Sequence, residues 1–308
     1  MKFKRSDVLT NSWKFSKSIM KFKRSDVVKD YPLLISLHKS GSTWVFSYIH
    51  KHYRKKGITM PPNNFYSEFF NNHTSELDFT HKINPLENEF IKWSSEERFA
   101  LLELLRKFGL ELAHKAHVPE IIDIWPRFKE FYKDHDILVL KRRHIFSHYL
   151  HILFFHCVNE AVSKETIGDR ILKGKEEKGW TSLVPSKIQH GQSEDILKST
   201  ILEYNVQFKH HDIVLKWFTR NIRFLNDVVI EELDKPEVIF TEDITTQWLK
   251  DRFKVDLKKT VEPFKTLDFV TYFKPEELKI VHDKLYERFD NEFKYMGYRW
   301  EFPYFFLQ

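Results

Sequence analysis

The sequence predicts an α/β fold, a parallel β-sheet flanked by helices, in one domain over residues 31–308. Short apolar-rich runs recur at 33–37, 136–140 and 236–240. Such runs read as strands buried on both faces rather than half-wet ones. Longer stretches with helical spacing of apolar residues lie between them, and this alternation is the pattern of a sheet with helical crossovers. The 308 residues are 42% hydrophobic and 31% charged, a globular composition that is long enough to bury a sizeable core.

Charge and cysteine usage narrow the function classes. The net charge of +6 suits a polyanionic ligand, but it is too dispersed to indicate nucleic acid. Cys157 is the single cysteine, so no internal disulfide can form, and a reducing, cytoplasmic setting is expected. Its run Phe154–Val158 reads it as core filler. The richest apolar stretch, Tyr149 to Val158, carries His151 and His156, so no membrane span is expected. The basic, polar N-terminus lacks the apolar segment of a secretory signal. Residues 1–30 form a basic arm in which Met1–Val8 recurs identically as Met20–Val27, a local duplication or a start placed upstream of Met20. No chemistry is assigned to it.

In chain order, Leu33 to Ser36 reads as a buried strand behind Pro32, followed by the turn Lys39-Ser40-Gly41-Ser42-Thr43 and an apolar-rich helix from about Thr43 to Lys55. A strand, small-residue turn and helix start aim backbone N–H groups at one spot, an anion cradle. Lys39 adds a mobile charge, Ser40, Ser42 and Thr43 add hydroxyls, and Gly41 allows close backbone approach. The order differs from a Walker A loop, which needs a second glycine and places its lysine after it. In isolation the string is also compatible with an ordinary turn. Residues 59–92 show no sustained period and read as a substrate-side loop or lid. Ser94-Ser95-Glu96-Glu97 caps an amphipathic helix that stops near Gly109.

Leu110 to Ala113 suggests a short strand that Pro119 must end, and Lys115 and His117, two apart, would project from one face at its carboxyl end. A surface pair at a sheet edge is the other reading. A helix is expected over 126–132, and a buried strand over 136–140 that runs into Lys141-Arg142-Arg143, three cations forming a second anion site at the start of a helix from Ile145 to Glu160. His144, His148 and His151 share a face of that helix, but no carboxylate completes a zinc motif, so packing or surface roles are expected. An exposed loop (163–193), one long helix or two (194–233) and a strand (236–240) follow. Glu242 and Asp243 read as helix-start acids with a structural role, before a helix through Trp248 and Phe253. A last helix spans 278–289, and Met296-Gly297-Tyr298 follows it.

The run Lys39-Ser40-Gly41-Ser42-Thr43-Trp44 after a buried strand resembles the 5′-phosphosulfate loop of the cytosolic-type sulfotransferases, which use 3′-phosphoadenosine 5′-phosphosulfate (PAPS). Lys115-x-His117-x-Pro119 resembles their Lys-Thr-His-x-Pro element. Arg142, or Arg143 in its place, and Ser147 resemble the arginine and serine that grip the 3′-phosphate, in a shortened turn. Thr241-Glu242-Asp243 resembles their Tyr-Glu-Asp strand end, and Asp268 to Glu277 resembles a further element of the family. Their Arg-Lys-Gly clamp is absent. Glu262-Pro263-Phe264 stands there, with Lys265 or Lys258-Lys259 as substitutes.

The resemblance implies a fold related to the nucleotide kinases (P-loop NTPase-like) without a Walker A loop. It also implies a PAPS-dependent sulfotransferase acting on a hydroxyl or amine of a small-molecule or glycan acceptor, with adenosine 3′,5′-bisphosphate (PAP) as product and no metal required. His117 would be the base, and Lys39 and Lys115 would stabilise charge on the leaving phosphate and the transferring group. Lys39, Ser40, Gly41, Ser42, Thr43, Trp44, Arg142 and Ser147 would bind the donor. Trp44 either stacks on adenine or anchors its helix. Two alternatives remain: a Mg²⁺-dependent phosphotransferase with Asp243 as metal ligand, and a non-catalytic basic module that binds anionic polymers.

Overall fold

The computed structural model describes residues 32–46, 48, 70, 94–107, 115–154, 157, 211–254 and 273–300. The basic arm, the loops at 59–92 (Phe70 apart) and 163–193, Leu110 to Ala113, Lys258 to Lys265 and Asp268 to Tyr272 lie outside these residues. The fold is α/β. Four strands, β1 (Leu33–Ser36), β2 (Lys115–His117), β3 (Ile137–Lys141) and β4 (Glu237–Phe240), form one parallel sheet in the order β2-β1-β3-β4. Ser36 is in register with His117 on one side and Leu140 on the other. Every residue of β1 is fully buried, as a central parallel strand covered on both faces must be. β4 is half-exposed and forms one edge of the described sheet.

The helices begin and end where their caps dictate. Helix α1 (42–46) opens with the Val45 N–H bonded to the Gly41 carbonyl at 3.1 Å. Helix α2 (Ser95–Lys107) carries the reciprocal cap expected of Ser94: its hydroxyl accepts from the Glu97 N–H at 3.3 Å, and its own N–H donates to Glu97 Oε2 at 2.7 Å. A single turn, Val118–Ile121, follows β2 directly and leads into α3 (Trp125–Tyr132), whose Phe128 packs near Phe99 of α2. Helix α4 (145–154) follows β3.

Helix α5 (His211–Arg223) runs on into a π-helical stretch, Phe224–Ile230. There Asn226 donates to the Ile222 carbonyl at 2.7 Å, the side-chain competition for backbone acceptors that accompanies such widened turns. Thr245 caps α6 (Thr246–Phe253) by accepting from the Trp248 N–H at 3.1 Å. Helix α7 (Pro275–Arg288) starts on Pro275, with Glu277 accepting from the Lys274 N–H at 3.1 Å. No helix among the described residues is long and apolar enough to cross a membrane.

The strand order locates a crevice. The chain passes from β1 to β2 on one side of the sheet, then returns past β1 to build β3 and β4 on the other. Open parallel sheets bind ligands outside the carboxyl ends of their strands at such a reversal. Here the segments that leave β1 and β3 flank that point.

Candidate functional site

The segment leaving β1 turns sharply. Lys39 has φ 61° and Gly41 φ 80°. A lysine in this region costs about 1–2 kcal/mol, whereas glycine occupies it freely. The turn buries Ser40 and Ser42, leaves Thr43 exposed, and leaves Trp44 half-buried with its ring edge-on to Tyr48 at 5.6 Å.

Strand β2 reaches this turn with two side chains on one face. Lys115 Nζ donates to Thr43 Oγ1 at 3.1 Å, and His117 Nε2 lies 3.2 Å from Ser42 Oγ. Residues 75 and 72 positions apart thus meet because β1 and β2 pair in register. His117 Nδ1 is 3.1 Å from Glu120 Oε1, and its backbone N–H donates to Glu120 Oε2 at 3.0 Å. With Glu120 ionised and the ring neutral, Nδ1 carries the hydrogen and Nε2 accepts from the Ser42 hydroxyl. The guanidinium of Arg98 is fully buried near Glu120. Burial lowers its pKa to about 10, against the opposing pull of the Glu120 and Glu97 charges. His38 stacks on His117 with ring centres 4.1 Å apart, and its Nε2 lies 3.8 Å from Glu120 Oε1. Trp217 of α5 lies beyond His38 at 6.2 Å.

The opposite flank differs from the expected row of three cations facing an anion. Lys141 turns inward, donating to Asn226 Oδ1 at 2.6 Å and the Met296 carbonyl at 2.7 Å, and burial lowers its pKa to about 8. Arg142, fully buried, donates through Nε to Glu242 at 2.8 Å and through Nη1 to the Lys39 carbonyl at 3.2 Å. Arg143 pairs with Asp243 through its side chain, and its backbone N–H donates to Glu242 at 2.9 Å. Asp243, the metal ligand of the phosphotransferase alternative, is therefore engaged by a cation. The Thr241 hydroxyl is shared between the Ser40 and Lys141 carbonyls. Ser147 is half-buried on α4.

The histidines of α4 do pack inside. His148 Nε2 donates to the His38 carbonyl at 2.8 Å, and burial with the nearby Arg142 charge lowers its pKa to about 3. His151 is held well below 6.5 by burial and by the charges of Lys39 and Arg142. Both imidazoles are neutral at physiological pH. Among the described residues, the side chains that could together hold a metal are instead His38, His117 and Glu120.

Lys39, Ser40, Gly41, Ser42, Thr43, Lys115 and His117 are therefore brought together, Arg142 touches the same turn from below, and Ser147 and Trp44 sit on the flanking helices. Glu120, Arg98, His38 and Trp217 emerge only from the structure. One signal for Glu120 was present: Pro119 and Glu120 follow His117 in the order of a capping box. The constellation offers an imidazole with a bare nitrogen, two lysines and several hydroxyls around one turn, which is equipment for group transfer to or from an anion. Compared with models of known families, with curated proteins and with solved structures, the chain matches none.

Proposed function

We propose that this protein is a sulfotransferase that moves the sulfuryl group of PAPS to a hydroxyl or amine acceptor. The observation that carries the reading is the meeting of Lys115 and His117 with the hydroxyls of Thr43 and Ser42 across the β1–β2 pair. The motif resemblance of the two segments would otherwise be no more than two short strings. In this reading the acceptor oxygen or nitrogen attacks sulfur in line as the bond from sulfur to the phosphate oxygen breaks. The acceptor proton goes to His117 Nε2, the leaving phosphate keeps the electron pair of the broken bond, and Lys39 with the 40–43 backbone N–H groups stabilises its charge. Lys115 steadies the transferring group. Glu120 stabilises the imidazolium that forms, as a carboxylate behind a catalytic imidazole does.

Arg142 contributes by fixing the Lys39 carbonyl and hence the turn. Calorimetric titration with PAP in the absence of Mg²⁺ tests the donor site. Micromolar or tighter binding is expected in the natural protein, with at least about a tenfold loss in Lys39→Ala, equivalent to about 1.4 kcal/mol. Binding that requires Mg²⁺ would favour the phosphotransferase, and no binding with or without Mg²⁺ would refute both nucleotide readings.

A further inference from the structure

Glu120 is shared by two imidazoles, and proton transfer by His117 uses only one of them. Its Oε1 lies 3.1 Å from His117 Nδ1 and 3.8 Å from His38 Nε2, and one donor atom from each of the three residues lies within 4.8 Å of the others. Four-coordinate zinc, with bonds of about 2.0–2.2 Å to nitrogen and oxygen, holds neighbouring ligand atoms about 3.3–3.5 Å apart. The observed spacings bracket that value.

The carboxylate is fixed in place, because its other oxygen accepts the His117 backbone N–H at 3.0 Å. His117 belongs to a strand and Glu120 to the turn directly after it, so two of the three donors stand on rigid backbone. His38 is the adjustable member, with 26% of its side chain exposed on the segment leaving β1. Its ring is stacked on His117 at an interplanar angle of 28°, so it must rotate to bring its lone pair onto a shared ion. Two imidazoles and one carboxylate select a first-row transition metal over Mg²⁺ or Ca²⁺, which prefer all-oxygen sites.

We propose that His38, His117 and Glu120 bind one Zn²⁺ ion, and that filling this site withdraws His117 from proton transfer. The second half rests on the sulfuryl-transfer reading, and the first half does not. The chemistry balances without a co-reactant. The metal takes the Nδ1 lone pair, and the hydrogen formerly on Nδ1 moves to Nε2. His117 then donates to Ser42 Oγ instead of accepting from it and has no free nitrogen for an acceptor proton. Zinc occupancy would thus be an off state of the base.

The test is a Zn²⁺ titration of the full-length protein against a chromophoric chelator, without nucleotide, combined with imidazole ¹⁵N NMR. One Zn²⁺ per chain is expected. Binding should weaken at least about tenfold in both His38→Ala and Glu120→Gln, and a His282→Ala control at the exposed His282–Asp283 pair should bind as the natural protein does. The ¹⁵N signals of His117 should invert from the Nδ1–H to the Nε2–H pattern as zinc is added. Absence of stoichiometric binding, or binding unchanged in His38→Ala and Glu120→Gln, would overturn the site. Zinc bound with His117 still in the Nδ1–H form would overturn the off state. PAP affinity measured on the same samples reads the donor site separately, so a failed donor reading and a failed zinc site give different results.

Discussion

A histidine accepts a proton only if one ring nitrogen is bare and aimed at the reacting group, and Glu120 meets the first condition by holding the Nδ1 edge of His117 at 3.1 Å. Without zinc, the ¹⁵N spectrum of His117 is therefore expected to show the Nδ1–H form, and Glu120→Ala should give a mixture of tautomers. In the sulfuryl-transfer reading, replacing His117 with alanine should lower turnover by roughly 10²–10⁴-fold. PAP binding should change little, because no donor contact is assigned to the imidazole. Loss of PAP binding in His117→Ala would instead make the ring part of the donor pocket. Gly41→Ala should lower stability by about 1–2 kcal/mol, since its φ of 80° suits glycine. Thermal denaturation of that variant reads this directly. The pairing of Lys115 with His117 was legible in the sequence because side chains two apart on a strand share a face. The sharing of Glu120 with His38 was not, because it depends on the register that sets Ser36 beside His117 and no local pattern encodes that register.

Among the elements, the carboxyl ends of β3 and β4 are joined by Arg142 and Glu242, and Arg142 carries that link on to the Lys39 carbonyl. Burial raises the Glu242 carboxyl, but the Arg142 charge and the Arg143 N–H outweigh it and hold its pKa below the ordinary 4.5. The stability this carboxylate supplies is complete above pH 4.5 and fades as pH falls through its lower folded value. Arg142→Met should cost about 3–5 kcal/mol by leaving a mostly buried carboxylate without its cation. Glu242→Gln should make the stability profile below pH 4.5 less steep by Glu242's share, with the slope from the buried histidines remaining. Urea unfolding at several acidic pH values checks both, and a slope in Glu242→Gln equal to that of the natural protein would mean that Glu242 makes no acid-dependent contribution. Strands β1, β3 and β4 were readable from their apolar runs, as was the Ser94 cap of α2, whereas β2 is Lys115–His117, past the apolar Leu110 to Ala113. The three successive cations after β3 were misleading for a structural reason. An extended chain sends neighbours to opposite sides, so Arg142 faces the β1 turn while Lys141 and Arg143 lie by the ring of Phe240, at 5.1 and 4.3 Å. Their partners, Asn226, Met296 and Asp243, are too distant in sequence to be inferred from it.

For the molecule as a whole, the packing that positions the site also sets its tolerance of acid. Helix α4 is pinned to the site through His148, whose Nε2–H bonds the His38 carbonyl at 2.8 Å from a fully enclosed position. The ordinary imidazole pKa is 6.5, and in the folded protein burial and Arg142 lower it to about 3. His151 is shifted in the same direction. Between these values the unfolded chain binds protons that the folded chain refuses. Stability is therefore complete above pH 6.5 and declines as pH falls toward 3, by up to about 1.4 kcal/mol per pH unit for each such histidine. In His148→Gln, the amide nitrogen can keep the bond to the His38 carbonyl but cannot titrate. Chemical denaturation at pH 7.5, 6.0 and 5.0 lies above the window in which the Glu242 contribution changes, so the two effects separate. The natural protein should lose stability across this series, and His148→Gln should lose it with a slope smaller by close to one proton, whatever its stability at pH 7.5. Parallel slopes would mean that folded and unfolded His148 bind protons alike, with no downward shift from 6.5. The ring would then take up its proton in the folded protein as pH falls through 6.5, close to the Arg142 and Glu242 charges, and a charged rather than a neutral donor would hold the His38 carbonyl.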